Sequence, residues 1–431
     1  MNVLPKGWVE TTLGEIADTS LGKMLDKKQA TGDHPTQYLR NINVRWGKFD
    51  LNDLASMDIR PEELERVVAV PGDIIACEGG EPGRSAVWHG PGTIALQKAL
   101  HRIRPMRAVD PRYLAALLHY LALSRSLDSL FTGTTIRHLP QEKLRLVPVP
   151  LPPLSEQGRI VAAIEAQFSR LAEAELLLKS ARRRLTPMAA AVIDGATMGF
   201  ASKSIGELIR EPLRNGHSAR RSATGTVPVF TLSSVTERDF SDRNTKLIDA
   251  DPKRVEDLWV EPGDIFVERS NTAALVGSAA LYRGPAKKAI FPDLLIRIRF
   301  GTAVTLEYSE LALRSTPIRR YFQRSAKGIA GSMPKIDQTT ILAAELPVPP
   351  VVEQMRIVEE ASRQLSLVES LATAIDHALT RSDHLRRSIL EGAFTGKLVP
   401  QVSDDEPASE LLARIASDHR KTAKPRRRQR A

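Results

Sequence analysis

Residues 151–161 read Leu-Pro-Pro-Leu-Ser-Glu-Gln-Gly-Arg-Ile-Val, and residues 348–358 repeat the pattern as Val-Pro-Pro-Val-Val-Glu-Gln-Met-Arg-Ile-Val. The register stays constant well beyond this motif, because Glu156 and Glu353 are 197 positions apart and so are Gly199 and Gly396. The two copies therefore align from Glu156 to Gly199 without an insertion or a deletion. The chain therefore contains a true internal repeat.

Each copy of the repeat predicts one long helix, over residues 151–199 and 348–399. The two prolines favour an extended entry, and Glu156 and Glu353 fall in the first turn, where a negative charge suits the helix dipole. Apolar residues then recur in steps of three and four, the spacing typical of a coiled-coil seam. Two such helices in one chain most simply pack on each other as a spacer. The predicted seam includes Ile160, Ile164, Phe168, Met188, Leu371 and Leu385.

The composition excludes several classes of protein. The 431 residues suffice for two or three domains, and the single cysteine, Cys77, excludes an internal disulfide and favours a reducing compartment. We find no N-terminal signal and no apolar run of the roughly 20 residues needed to span a bilayer. We therefore expect a cytoplasmic protein that has no membrane partner.

The net charge of +10 is unevenly distributed along the chain. Seven basic residues and no acidic ones lie from Arg420 to the end, and the remainder carries only about +3. We predict that the extension over residues 400–431 ends in a disordered basic tail. Composition alone does not indicate DNA binding.

The segments outside the helices, residues 1–150 and 200–347, resemble each other less closely. Leu-Gly-Glu-Ile at residues 13–16 matches Ile-Gly-Glu-Leu at residues 205–208, and Pro-Gly-Asp-Ile occurs at residues 71–74 and 262–265. In both segments, short β-like runs separated by Gly, Pro and Asn precede one predicted helix. The sequence predicts an α+β fold in which two globular domains alternate with two long helices in a pseudo-twofold repeat.

This order of elements resembles the DNA-specificity subunits of type I restriction–modification systems. The resemblance rests first on the Pro-Pro-x-x-Glu-Gln helix starts in both copies. It also rests on Ser-Ile-Leu-Glu-Gly-Ala-Phe-Thr-Gly-Lys-Leu-Val at residues 388–399 and on Tyr-Leu-Arg-Asn-Ile-Asn at residues 38–43. Gly-Asp-Ile, which occurs in both globular segments, is a further match to the family. The resemblance covers nearly the whole chain except the basic tail.

The resemblance implies a function and a set of partners. Each globular segment would be a target-recognition domain for one half of a split double-stranded DNA sequence. The long helices would form an antiparallel coiled coil that sets the gap and binds two methyltransferase subunits, and restriction/translocase subunits would join them. The chain would direct adenine methylation and restriction without catalysing either, and S-adenosylmethionine, ATP and Mg would be bound by the partner subunits. Forty residues at about 1.5 Å each span roughly 60 Å, more than one DNA turn of about 34 Å.

Catalytic motifs are absent from the sequence. It contains no phosphate-binding loop, no Asn-Pro-Pro-Tyr-like methyltransferase segment and no Cys/His metal cluster. Asp73 with Glu78, or Asp264 with Glu268, would suit a metal-dependent nuclease, but neither pair is followed by the expected lysine. We interpret Pro-Gly-Asp-Ile instead as a tight turn that enters a buried strand. The sequence thus predicts a chain that is not an enzyme by itself and has no cofactor or metal of its own.

Polar and basic residues in the predicted loops are the candidate DNA contacts. Arg and Lys suit guanine edges or phosphates, Asn suits adenine edges, and hydroxyl groups suit phosphates. Trp46 fits either a base-stacking ring or a core residue. In the first domain the candidates are Arg40, Asn41, Asn43, Arg45, Arg84, Lys98, His101, Thr134, Thr135, Arg137 and His138. In the second they are Arg220, Arg221, Ser233, Arg269, Asn271, Arg320, Arg324, Ser332 and Lys335, and Arg319 and Lys327 extend the same basic face.

The repeated helix starts are the candidate partner surface, although capping and local ion pairs explain the same residues. The candidates are Glu156, Gln157, Arg159, Glu353, Gln354 and Arg356. Three other functions stay open. They are a modification-only or orphan specificity subunit, a metal-dependent nuclease, and a coiled-coil scaffold that does not bind DNA.

Overall fold

A computed structural model describes residues 4–25, 32–133, 135–220, 222, 224–328 and 333–422. The chain divides into two compact units. The first combines residues up to Leu177 with those from Ala378 onward, and the second spans Leu178–His377. Each unit thus contains one globular domain together with part of each long helix.

The first unit contains two four-stranded sheets and two short strand pairs. The sheet orders are β6-β3-β10-β7 and β2-β11-β8-β9, and β1 pairs with β12 just before the long helix. The strands are β1 (Val9–Thr12), β2 (Ala17–Leu21), β3 (Pro35–Leu39), β4 (Val44–Arg45), β5 (Lys48–Phe49), β6 (Ala55–Asp58), β7 (Val68–Ala69), β8 (Ile74–Cys77), β9 (Ser85–Val87), β10 (Ile94–Leu96), β11 (Leu100–Pro105) and β12 (Pro148–Leu151). The helices are α1 (Leu13–Ile16), α2 (Pro61–Val67), α3 (Pro111–Leu123), α4 (Gln141–Leu144) and the long α5 (Leu154–Thr197).

The second unit repeats the plan with one four-stranded sheet of order β14-β19-β17-β18 and the pairs β15-β16 and β13-β20. Its strands are β13 (Ser202–Ser204), β14 (Arg214–Asn215), β15 (Val227–Phe230), β16 (Thr245–Ile248), β17 (Ile265–Glu268), β18 (Ala279–Leu281), β19 (Leu295–Ile298) and β20 (Glu345–Pro347). Its helices are α6 (Ile205–Leu208), α7 (Ser233–Thr236), α8 (Pro252–Val255), α9 (Leu306–Leu313), α10 (Thr316–Ser325), α11 (Gln338–Leu342) and the long α12 (Val351–Phe394), which continues into the first unit.

The two Pro-Gly-Asp-Ile motifs form the same turn. Gly72 and Gly263 have φ angles of 96° and 93°, a left-handed conformation that glycine adopts without steric cost. Strands β8 and β17 follow at once, and every residue of both is buried. The predicted turn into a buried strand is confirmed in both units.

The long helices are equal in length, at 44 residues each, and pack antiparallel. In the second unit Arg182 of α5 donates to Asp376 of α12 over 3.1 Å. In the first unit Glu175, about two turns earlier on α5, accepts from Ser382, which lies further along α12. The predicted fold class is therefore confirmed. No helix within the described residues combines the length and the apolar composition that crossing a bilayer would require.

The C-terminal extension contains a helix that the sequence analysis did not predict. A thirteenth helix, α13 (Ala408–Thr422), packs Ala408, Leu411 and Ile415 into the core of the first unit. The apolar residues of this segment recur at helical spacing, a signal that the sequence analysis overlooked. Only residues 423–431 of the predicted basic tail lie outside the described residues.

Candidate nucleic-acid interface

Three loops of the first unit, formed by residues 40–46, by residues 78–84 and by residues 132–133 with 135–138, meet at what we call the first polar edge. The main chain joins the second and third loops, because Leu139 N–H donates to the Glu78 carbonyl over 2.7 Å. Asn41 Nδ2 ties the first loop to the second through a 2.9 Å hydrogen bond to the Gly79 carbonyl. The structure thus brings together candidates that lie far apart in the sequence, among them Asn41, Arg84, Arg137 and His138.

Arg84 and Trp46 are held in place at this edge by one carboxylate. Glu81 accepts a hydrogen bond from Arg84 Nη1 at 2.6 Å and another from Trp46 Nε1 at 2.9 Å. Arg84 also donates to the Asn41 carbonyl at 2.9 Å. One face of the Trp46 ring stacks on His119, with 4.3 Å between the ring centroids. This face of Trp46 is therefore not available to a base.

The charged candidates of the first domain differ in how freely they could meet a ligand. Arg45 and Lys98 are exposed, and in the described part of the chain neither side chain has a hydrogen bond or an ion pair. Arg137 is 61% exposed and lies 3.3 Å from Asp128, whereas Arg40 donates to Asp53 at 2.8 Å. Within the described residues, Arg45 and Lys98 are thus exposed cations whose charge no carboxylate offsets.

Two candidates of the first domain need correction, since they lie in the interior. Asn43 is 2% exposed, and its amide donates to the carbonyls of Asp50 and Asp53. His101 is fully buried, its Nε2 lies 2.7 Å from the Leu139 carbonyl, and burial lowers the pKa of its imidazole. Both residues shape the polar edge and neither is free to contact DNA. Sequence alone could not separate them from their exposed neighbours.

The second unit builds the same arrangement, the second polar edge, from residues 231–238, 268–272 and 333–336. Ile336 N–H donates to the Arg269 carbonyl over 2.9 Å, as Leu139 N–H does to the Glu78 carbonyl in the first unit. Asn271 Nδ2 donates to Glu268 Oε2 at 2.8 Å. The candidates Arg269, Asn271 and Lys335 lie together here.

One backbone scaffold therefore presents different side chains in the two units. Thr236 Oγ1 donates to Glu268 Oε1 at 2.6 Å, which ties the first loop of the second polar edge to the second loop. Lys327 and Lys335 exchange two backbone hydrogen bonds of 2.9 Å, as Thr132 and His138 do in the first unit at 2.8 and 2.9 Å.

The basic face of α10 is narrower than predicted. Arg319 donates to the carbonyls of Val276 and Ala274 at 2.9 and 2.8 Å, so it holds a loop in place. Arg320 and Arg324, one turn apart, are exposed, as is Arg220, while Ser233 is half-buried. Thr134, Arg221 and Ser332 lie outside the described residues, so their candidate roles stay predictions.

The two aspartates of the nuclease hypothesis serve the turns. Asp73 accepts two hydrogen bonds of 2.7 Å from Arg104, and its Oδ2 also accepts from Val70 N–H at 2.8 Å. Asp264 is bound in the same way by Arg299 and by Glu261 N–H. Both carboxylates are thus engaged by a guanidinium and by the main chain of their own turn. These contacts favour the structural interpretation of both motifs.

Two residues of the predicted partner surface, the repeated glutamines at the helix starts, lie in the interior. Gln157 and Gln354 are fully buried. Gln157 accepts from Asp110 N–H at 2.8 Å, just before α3, and Gln354 accepts from Thr305 N–H at 2.7 Å, just before α9. The two glutamines fasten each long helix to its own domain. They are not available to a partner subunit.

Glu156 is also internal, at 1% exposure, and accepts a 3.0 Å hydrogen bond from Trp8 Nε1. Arg159 pairs at 2.6 Å with Asp405, just before α13, and retains 34% exposure of its side chain. In the second copy Arg356 is 71% exposed and pairs at 2.6 Å with Glu353. Of the six candidates, Arg159, Glu353 and Arg356 therefore remain accessible.

Large exposed apolar residues on the long helices are the feature that the sequence analysis missed. Met188, Leu371 and Leu385, assigned to the seam, are at least 46% exposed. Leu176 and Leu177, outside the predicted seam, are 64% and 66% exposed. Leu176 and Leu177 are neighbours in the chain, and adjoining exposed apolar groups suit an interaction surface better than scattered ones. In the sequence, Leu176 and Leu177 lie outside the seam pattern, and this could have indicated the exposed apolar surface.

The chain is similar in sequence to known proteins. Residues 5–176 match the family described as "Type I restriction modification DNA specificity domain". The StySPI specificity subunit of Salmonella potsdam is 25% identical to this chain, and the alignment covers 96% of both chains. The EcoKI specificity subunit of Escherichia coli K12 is 24% identical with the same coverage.

Two solved structures share the fold. One, from work titled "Structural basis underlying complex assembly and conformational transition of the type I R-M system", aligns over 92% of this chain and 99% of its own length, with a TM-score of 0.73 and 20% identity. The other is the HsdS subunit of Thermoanaerobacter tengcongensis, which aligns over 91% of this chain and 98% of its own length, with a TM-score of 0.57 and 20% identity.

Proposed function

We propose that this chain is a specificity subunit of a type I restriction–modification system and that it recognises a bipartite double-stranded DNA sequence. One observation carries the proposal. The two units build the same polar edge on equivalent hydrogen bonds but place different side chains there, such as Glu78 against Arg269 and His138 against Lys335. A common scaffold with different polar groups suits two domains that distinguish different bases.

The residues we propose for DNA contact are those that the structure leaves accessible. In the first domain they are Arg40, Asn41, Arg45, Arg84, Lys98, Thr135, Arg137 and His138, and in the second Arg220, Ser233, Arg269, Asn271, Arg320, Arg324 and Lys335. Arg and Lys on these edges suit phosphates or guanine, and Asn suits adenine. Thr134, Arg221 and Ser332 stay in the proposed set as predictions from sequence.

The long helices are the proposed binding surface for two methyltransferase subunits. The accessible ion-pair residues Arg159, Glu353 and Arg356 lie at the helix starts, and the exposed leucines add apolar area. An internal repeat offers two equivalent surfaces and hence two copies of the partner. Restriction/translocase subunits would join this complex.

In this proposal the chain selects the DNA site and the chemistry is done by others. Adenine methylation and restriction are catalysed by the partner subunits, which bind S-adenosylmethionine, ATP and Mg, and the complex acts in the cytoplasm. The engagement of Asp73 by Arg104 and of Asp264 by Arg299 supports the non-catalytic role of this chain.

Genome-wide methylation sequencing tests the proposal. A host that expresses the chain with its methyltransferase is compared with a host that lacks only this chain. We expect one split motif, with half-sites about one helical turn apart, to lose methylation. Unchanged methylation at every motif, with an active methyltransferase, would contradict the proposal, and divalent-metal-dependent cleavage by the purified chain would then favour the nuclease.

A further inference from the structure

A cleft of about 510 Å³ in the second unit is lined by four guanidinium groups. We call it the arginine cleft, after Arg182, Arg238, Arg283 and Arg314. Its walls come from α5, α9 and α12, and Leu185, Leu365 and Val368 supply apolar surface. A concave site with apolar walls and clustered charged groups is a typical site for a ligand.

The positive charge of this cleft is only partly compensated. Arg283 donates to Glu310 at 2.7 Å and Arg182 to Asp376 at 3.1 Å. Arg238 and Arg314 have no carboxylate within 4.0 Å in the part of the chain that the structure describes, although Glu369 also lines the cleft. Burial lowers the pKa of the Arg314 guanidinium, the neighbouring Arg238 lowers it further, and Glu310 opposes these effects only in part. An anion bound here would offset this unfavourable grouping of cations.

The fold does not require these arginines, as the equivalent cleft of the first unit shows. That cleft, of about 250 Å³, contains Gly47 and His119. Gly47 and Arg238 are separated by 191 positions, like the turn residues Asp73 and Asp264. His119 and Arg314 are separated by 195, like the buried Tyr113 and Tyr308 at the equivalent helices. The first unit thus has a glycine and an imidazole where the second has two guanidinium groups.

Arg238 is held in its position against backbone preference. Its φ is 52°, close to the 69° of Gly47. The left-handed region is unfavourable for a residue with a Cβ, whereas glycine adopts it freely. An arginine at a position that suits glycine, beside a second unpaired guanidinium, indicates a role outside folding.

We propose that the arginine cleft binds phosphate groups, and that their source is the backbone of DNA bound at the second polar edge. Arg238 ends the first loop of that edge, two residues after Thr236, which is bound to Glu268. Guanidinium groups match the fork geometry of phosphate oxygens. The inference rests on the proposed function, and it gives the second domain a sequence-independent anchor built on Arg238 and Arg314, whose counterparts in the first unit are Gly47 and His119.

The test replaces the arginines by the residues of the first unit, in the variant Arg238→Gly/Arg314→His. Binding of a random-sequence duplex is measured against salt concentration, with the full chain. Each phosphate contact contributes about 0.9 to the slope of log K against log salt, so we expect the slope to fall by about 1 or more. Arg254→Ala, an exposed arginine on α8 of the same unit, is the matched control and should retain the slope of the wild type.

A second measurement, with pyrophosphate, distinguishes phosphates of the DNA backbone from free phosphate compounds as the ligand. A lower slope in the double variant alone supports the DNA backbone as the ligand. If the slope is unchanged but pyrophosphate raises the Tm of the wild type and not of the variant, the cleft binds free phosphate compounds. If neither changes, the inference is overturned. Failure of the wild type to bind any duplex would contradict the proposed function, and the pyrophosphate measurement would still decide the cleft. Arg314→Lys, which keeps the charge and loses the fork, gives a milder variant should the double variant not fold.

Discussion

Trp8 donates its indole N–H to Glu156 across 3.0 Å, and 148 residues separate the two along the chain. The second repeat has Phe200 at the position of Trp8, so it cannot reproduce this bond, and Glu353 pairs instead with Arg356 at the surface. The equivalent glutamates of the two motif copies thus have different roles. In the first unit it joins the N-terminal segment to the start of α5.

Trp8→Phe should destabilise the first unit, because it leaves a buried carboxylate without its donor. Loss of a partner for a buried polar group costs about 1–3 kcal/mol. We expect the free energy of unfolding, measured in urea, to fall by that amount. A double-mutant cycle with Glu156→Ala isolates the pair, since alanine removes the acceptor that glutamine would keep. The pairing would be contradicted if Trp8→Phe cost the same in the Glu156→Ala background as in the wild type.

Glu156 should also make stability depend on pH. Burial, the largest cause, raises the pKa of its carboxyl, and the Trp8 hydrogen bond lowers it by less. The folded state therefore holds the proton more tightly than the unfolded state, so this group favours folding at low pH and loses that contribution as pH rises through its raised pKa. The stability difference between wild type and Glu156→Gln should favour the wild type more at pH 4.5 than at pH 7. A difference independent of pH would contradict this origin.

The helix-start motif shows how far sequence predicts this protein. Its repetition and spacing predicted both long helices and their pairing, because helical periodicity is local and strong. The exposure of Gln157 depends on where the first turn of α3 lies, nearly fifty residues earlier, and no local pattern encodes that. The same limit applied to His101, whose partner is the distant Leu139 carbonyl. The loops that form the polar edges were identified from sequence, but the side chains they use internally were not.

Gln354→Ala should loosen the junction between α12 and its domain. The Gln354 amide accepts from Thr305 N–H and donates to the carbonyls of Ala303 and Pro349, at 2.9 and 2.8 Å. Losing these bonds in the interior should lower the free energy of unfolding by about 2–3 kcal/mol. Hydrogen exchange of the first turn of α9 should rise as well. Gln364→Ala, an exposed glutamine on the same helix, is the control, and an equal effect of both changes would contradict the role of Gln354.

The exposed leucines of the long helices should matter for assembly and not for folding. Leu176→Ser/Leu177→Ser alters exposed side chains, so the free energy of unfolding should change by no more than the roughly 0.5 kcal/mol typical of surface substitutions. We expect Leu176→Ser/Leu177→Ser to weaken the binding of one methyltransferase subunit at least tenfold. Sedimentation velocity would then show complexes with one copy in place of two. Leu367→Ser/Leu371→Ser should weaken the binding of the other copy through the second unit. Unchanged stoichiometry and affinity in both variants would place the partner surface elsewhere.

Arg137→Ala and Lys335→Ala should each alter a different half of the recognised sequence. The two residues lie at the first and second polar edges, and both are exposed. If Arg137 contacts a base, its loss should cost about 1–3 kcal/mol and relax the preference at one position of one half-site. Lys335→Ala should leave that half-site intact and affect the other. Methylation sequencing of hosts that carry each variant compares the two motifs directly. A loss of methylation spread evenly over both half-sites, with no relaxed position, would instead indicate phosphate contacts or a disturbed fold.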